Sequence, residues 1–93
     1  NNSQLPYYFE ITDVYPNPFN PVLNINFNIA GSAVTQVNIL DIAGKHINTI
    51  HSGYLQPGSH EMRWNGESLP SGVYFVNVKS GEKHLIEKVV LLK

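Results

Sequence analysis

The sequence predicts an all-β fold, a seven-stranded antiparallel immunoglobulin-like β-sandwich, from three observations. Apolar and polar residues alternate with a period of two, as in half-buried strands. Seven glycines and six prolines are spaced so that no segment is long enough for an amphipathic helix. Turn chemistry recurs between short apolar segments at the spacing of a sandwich.

The first strand, Tyr8–Tyr15, ends where Tyr15-Pro-Asn-Pro-Phe-Asn-Pro21 places three prolines in seven residues. Proline fixes φ and supplies no N–H, so this stretch is expected to be a stiff, extended crossing. Pro16 and Pro18 set its shape, and Phe19 plugs one end of the sandwich. The second strand, Val22–Ala30, holds the clearest alternation: Leu23, Ile25, Phe27 and Ile29 on one face, three asparagines on the other. The third and fourth, Thr35–Ile42 and Lys45–His51, flank Ala43-Gly44, with Gly44 expected in a left-handed turn conformation.

The fifth strand, Gly58–Asn65, lies between Gln56-Pro-Gly and Asn65-Gly. His60, Met62 and Trp64 share a face there, so Met62 and Trp64 fill the core, Trp64 as its anchor, while Glu61 and Arg63 meet solvent. The sixth, Gly72–Lys79, follows Pro70-Ser-Gly and turns Tyr74, Val76 and Val78 inward, yet Val73 and Phe75 make its other face apolar too. The seventh, Glu82–Leu92, is likewise apolar on both faces: Ile86, Val90 and Leu92 against Leu85, Val89 and Leu91. Val89-Val90-Leu91-Leu92 ties this strand down against the fraying usual near a chain end. Apolar faces left over on the last hairpin mark a contact site.

Ninety-three residues with 42% hydrophobic and 14% charged content suit one compact domain. The formal charge of −1 and the scatter of Lys45, Arg63, Lys79, Lys83, Lys88 and Lys93 argue against nucleic acid or an anionic membrane as partner. Cysteine is absent, which removes disulfides and thiolate metal sites and suits an exported bacterial protein. No apolar run approaches the roughly 18 residues of a membrane-spanning helix. The one methionine is Met62, so the sequence is expected to be a domain of a longer protein, with residues 1–9 as linker or processing region and 10–93 as the sandwich.

Chemistry-bearing patterns are sparse. The spacings of His46, His51, His60 and His84 match no tight ligand pair, and the carboxylates form no ligand run, so neither metal nor cofactor is expected. Ser59-His60-Glu61 cannot act as a relay, because neighbours in a strand point to opposite faces. No phosphate loop or nucleophile elbow is present, and no enzyme activity is expected. Carbohydrate binding is the stronger rival: Tyr7, Tyr8, Phe9, Tyr15, Tyr54 and Phe75 are candidate platforms and the asparagine rows candidate hydroxyl partners.

Several segments together resemble one family, the type A C-terminal sorting domains of the bacterial type IX secretion system. They are Tyr15-Pro-Asn-Pro18 with the alternating strand after it, Val37-Asn-Ile-Leu-Asp-Ile-Ala-Gly-Lys45, Pro57-Gly-Ser-His60 leading to Trp64, Leu69-Pro-Ser-Gly-Val-Tyr-Phe75, and Lys88-Val-Val-Leu-Leu-Lys93. Leu40 stands where the family often has tyrosine. The immunoglobulin-like domain of the flagellar hook-capping protein is similar in the same Pro-Asn-Pro, Asp-x-x-Gly and Gly-Val-Tyr pieces. The resemblance implies a sorting signal that carries an upstream cargo from the periplasm across the outer membrane to the cell surface or the medium. It implies two partners, the type IX translocon and a sortase-like peptidase that removes the domain near or upstream of residues 1–6 and couples the cargo to lipopolysaccharide. Its recognition residues map onto Gly72, Tyr74, Lys88, Val89, Val90, Leu91, Leu92 and Lys93. The translocon is expected to read the final hairpin by strand addition or by packing on Val73, Phe75, Val89 and Leu91. The alternative is a retained, non-catalytic module for polysaccharide binding or surface attachment.

Overall fold

A computed structural model describes residues 8–93. Seven antiparallel strands follow in order: β1 (Glu10–Tyr15), β2 (Val22–Ile29), β3 (Ala33–Asp41), β4 (His46–Leu55), β5 (Gly58–Asn65), β6 (Gly72–Ser80) and β7 (Lys83–Leu91). They form a three-stranded sheet, β1-β2-β5, facing a four-stranded sheet, β4-β3-β6-β7. This is the expected sandwich.

The period-two pattern decides which side chains close the gap between the sheets. Leu23, Ile25, Phe27 and Ile29 of β2 are fully buried, and so are Val37 and Ile39 of β3, Val76 and Val78 of β6, and Val89 and Leu91 of β7. Each strand's intervening residues face out. Trp64 sits in the core at 5% exposure, with Met62 half-buried beside it and Glu61 and Arg63 in solvent. His60 lies against Phe27, ring centroids 5.7 Å apart, and its Nε2–H donates to the Gln56 carbonyl at 2.8 Å.

The largest departure from the expected boundaries is β4, which continues to Leu55 instead of ending at His51. Ser52-Gly53 reads as a break in one dimension, yet Gly53, at φ 153°, stays in the ladder opposite Thr35. Thr35 is fully buried and its hydroxyl pairs with Ser80 Oγ at 3.1 Å, which holds β3 in register from Ala33 onward and draws β4 along with it. Gly44 has φ 86°, as the turn between β3 and β4 requires. There Asp41 Oδ1 accepts from the amides of Ala43 and Lys45, each at 2.9 Å.

The strands carry different parts of the sequence to opposite ends of the sandwich. At one end lie Glu10, the β2–β3 turn and Gly58; at the other, the Pro16–Pro21 crossing, the Asp41–Lys45 turn, the Asn65–Gly72 loop and Leu91–Lys93. The length of β2 separates them by roughly 26 Å.

Trp64→Ala is expected to lower unfolding stability by about 3 to 5 kcal/mol, the cost of a large core truncation, in a urea titration. A midpoint within error of the parent would remove Trp64 from the role of anchor.

Candidate functional site

Four of the five family-like segments meet at the second end, so the site begins there. Phe19 is 1% exposed and packs its ring against Trp64 at 5.5 Å; Trp64 in turn meets Tyr74 edge-on at 5.8 Å. Tyr74 turns inward, and its hydroxyl donates to the Pro70 carbonyl at 2.7 Å, which ties the β5–β6 loop to β6. Gly66 sits against this cluster: a Cβ there would lie 3.4 Å from Leu91, 3.5 Å from Trp64 and 3.6 Å from Phe19. The expected plug is present, and it is built from three aromatic rings.

The proline crossing leaves β1 in one sheet, reaches the outer edge of β7 in the other, and returns to β2. Prolines supply no N–H, so only Asn17, Phe19 and Asn20 can donate from the Pro16–Pro21 backbone. Phe19 N–H donates to Val90 O at 2.9 Å, and Leu92 N–H donates to Phe19 O at 3.0 Å, a parallel bridge. One turn earlier the side chain of Asn17 takes the place of a peptide group. Its Nδ2 donates to Lys88 O at 3.2 Å and its Oδ1 accepts from Val90 N–H at 3.0 Å. Four hydrogen bonds thus occupy the β7 edge from Lys88 to Leu92. Sequence reading made Pro16 and Pro18 structural but missed Asn17; an amide between two residues without N–H groups was the available signal.

This edge bears on the expected recognition residues. Strand addition at Lys88–Leu92 is blocked by the strap, which leaves His84–Glu87 as the uncovered part of that edge. The packing surface expected on Val73, Phe75, Val89 and Leu91 is corrected as well. Val73 stands opposite Val90 and Phe75 opposite Lys88 on the outer face, whereas Val89 and Leu91 are 0% exposed inside. Of the segment Lys88 to Lys93, the outer face therefore receives Lys88, Val90 and Leu92. Gly72 is half-buried opposite Leu91 and Tyr74 belongs to the core. Lys93 turns back on its own domain: its N–H donates to Ser71 Oγ at 3.0 Å, and its Nζ donates to the carbonyls of Glu67 and Leu69, the latter at 2.8 Å.

Antiparallel register arranges the outer face of the larger sheet as a grid. One row across the strands reads His46, Leu40, Phe75, Lys88, and the next reads Thr49, Asn38, Asn77, Ile86. A third reads Ser52, Gln36, Lys79, His84. Thr49 Oγ1 donates to Asn38 Oδ1 at 2.9 Å, so the 2.8 Å contact from His46 Nε2 to Thr49 Oγ1 is an N–H donation. Val73 and Val90 extend the apolar centre toward the strap, and Ile86 and Leu92 are more than half exposed. The outer face of the smaller sheet differs: Tyr15, Asn24 and Arg63, then Asp13, Asn26 and Glu61, then Glu10, Asn28 and Ser59.

The candidate sugar platforms do not converge. Tyr15 lies on the smaller sheet and Tyr54 on the larger, both exposed, while Phe9 and Phe75 are half-buried; Tyr7 lies outside the described residues. Among the described residues no three His, Asp or Glu side chains gather within reach of a metal ion.

Residues 13–92 match the model of a family described as the secretion system C-terminal sorting domain. Among solved structures, the chain is similar to PorZ, an essential bacterial surface component of the type-IX secretion system of human oral-microbiomic Porphyromonas gingivalis. The likeness has a TM-score of 0.61 and 25% identity over 87% of this chain and 11% of that one, so this chain spans about a tenth of the length of PorZ. No curated protein matches.

Asn17→Ala removes two hydrogen bonds from the β7 edge and is expected to lower stability by about 1 to 2 kcal/mol. Amide hydrogen exchange at Val90 and Leu92 should quicken more than at Val76. Equal protection of these amides in variant and parent would refute the strap.

Proposed function

Because this chain belongs to the secretion system C-terminal sorting domain family, we propose that its final hairpin, β6–β7, presents to the export machinery the outward side chains Val73, Phe75, Lys88, Val90 and Leu92. The domain is a sorting signal of the type IX system, and the protein that carries it crosses the outer membrane to the cell surface or the medium. It interacts with that secretion system.

The observation that carries the proposal is the two-sidedness of β7. Its inward residues Val89 and Leu91 complete the core and its edge from Lys88 onward is bonded to the strap, yet Ile86 and Val90 among its outward positions, and Leu92 just beyond it, are apolar. A strand whose core work is done by one face has no folding reason to be apolar on the other, and such surface marks contact. The direct partner in this reading is the outer-membrane translocon, and the role is non-catalytic. A sortase-like peptidase then cuts in the linker before the sandwich, near or upstream of residues 1–6.

Deleting Val89–Lys93 would remove two fully buried core residues together with the strap's partners, so loss of export after that deletion reports on folding as much as on recognition. A cleaner experiment fuses the intact domain to a periplasmic reporter in a bacterium with a type IX system. Surface delivery is expected with the domain and retention in the periplasm without it; equal delivery in both cases would sink the sorting role. Intact-mass measurement of the secreted parent is expected to find the domain missing. A parent that keeps the domain and pulls down polysaccharide would favour the retained surface module instead.

A further inference from the structure

We infer that the export partner meets the outer face of the larger sheet with an acidic protein surface: carboxylates arranged around an apolar centre. The inference rests on the proposed sorting role and adds the chemistry of the partner. The two outer faces of the sandwich divide the charge of the chain. The face of β4-β3-β6-β7 carries Lys79 and Lys88, with His46 and His84 at the ends of its rows, and among the described residues no carboxylate stands in it. Asp41 is taken up by the amides of its own turn, Glu87 has the opposite parity on β7, and Glu82 lies in the β6–β7 turn beyond the paired positions. Glu10, Asp13 and Glu61 stand on the other face, against a single arginine.

The apolar centre of the cationic face, Val73, Phe75 and Val90, lies beside Lys88, within the grid and not apart from it. A partner that matched only the apolar part would leave Lys88 desolvated and unpaired, so complementarity demands carboxylates at the margin of the contact. Two lysines fall short of the roughly four to eight clustered cations that bind anionic lipid headgroups, which disfavours a membrane as occupant. A second copy of the chain fits poorly too. Its acidic face has Asn24, Asn26 and Asn28 along the middle, where an apolar centre would be needed.

The strap decides how such a partner approaches. With the edge at Lys88–Leu92 occupied, it docks flat on the face through side chains. Four strands by about eight residues give an area of roughly 500 Å². That is below the roughly 800 Å² per partner of stable complexes and matches a transient contact, as suits a signal that must be released after delivery.

The test uses the domain fused to the reporter, with Lys79→Glu and Lys88→Glu combined, against Lys45→Glu and Lys83→Glu combined, which change the net charge equally but lie off this face. All four lysines are exposed, so both variants should melt within a few degrees of the parent. Export is expected to fall tenfold or more for the first pair and less than twofold for the second. Equal export of both would overturn the inference, while loss of export on removing the whole domain would leave the sorting role standing. If removal of the domain also leaves export unchanged, the sorting role itself fails. In solution, isotope-labelled domain is titrated with a synthetic peptide of alternating glutamate and leucine. Shifts are expected at Asn38, Phe75 and Lys88, weakening with salt. Shifts confined to the other face overturn the inference. So does tighter binding to phosphatidylglycerol vesicles than to the peptide, or a dimer that the Lys79 and Lys88 changes abolish.

Discussion

The structure depends on the tie between the proline strap and the last strand. Phe19 fills the end of the sandwich between Trp64 and Leu91, while its backbone bonds to Val90 and Leu92 hold that ring in place. Remove the ring and the bonds lose their anchor; remove the bonds and the ring has no fixed approach. Because the strap starts and ends in the three-stranded sheet but pairs with the four-stranded one, it joins the two sheets where they would otherwise only pack. The free edge that an edge strand normally exposes is covered from Lys88 to Leu92 by the same device.

From this constraint follows the division of β7 into three surfaces with separate tasks. The inward side chains belong to the core, the outer edge from Lys88 onward belongs to the strap, and the outward side chains with the short edge at His84–Glu87 are open to a partner. The family-like segments that looked independent along the chain are parts of one assembly. The Pro-Asn-Pro strap, Trp64, the Leu69–Gly72 loop and the closing Lys93 contacts support one another within one end of the domain.

Much of this was legible in the residues. The alternation in β2, the inward set Tyr74, Val76, Val78, the turn at Gly44 and the plug at Phe19 all follow from local rules: side-chain parity, left-handed turns, and proline's lack of a donor. The extent of β4 was not legible, because Gly53 stays in the ladder through the buried Thr35 across from it. The role of Asn17 was also hidden, since its partners are 71 and 73 residues away. Val89 and Leu91 were grouped with Val73 and Phe75 because parity within a strand says nothing about phase between strands; that phase comes from register.

The sequence by itself determined the all-β class, the number and order of strands, each strand's two faces and the family to which the chain belongs. Those properties depend on neighbours along the chain, where a period of two and a turn residue carry the information. The tertiary structure alone decided which apolar face of the final hairpin became core and which stayed outside, which edge was covered, and that Lys79 and Lys88 share a face whose paired positions, among the described residues, include no carboxylate. Those outcomes depend on register between strands far apart in sequence, and a one-residue slip would have exchanged every inside for an outside.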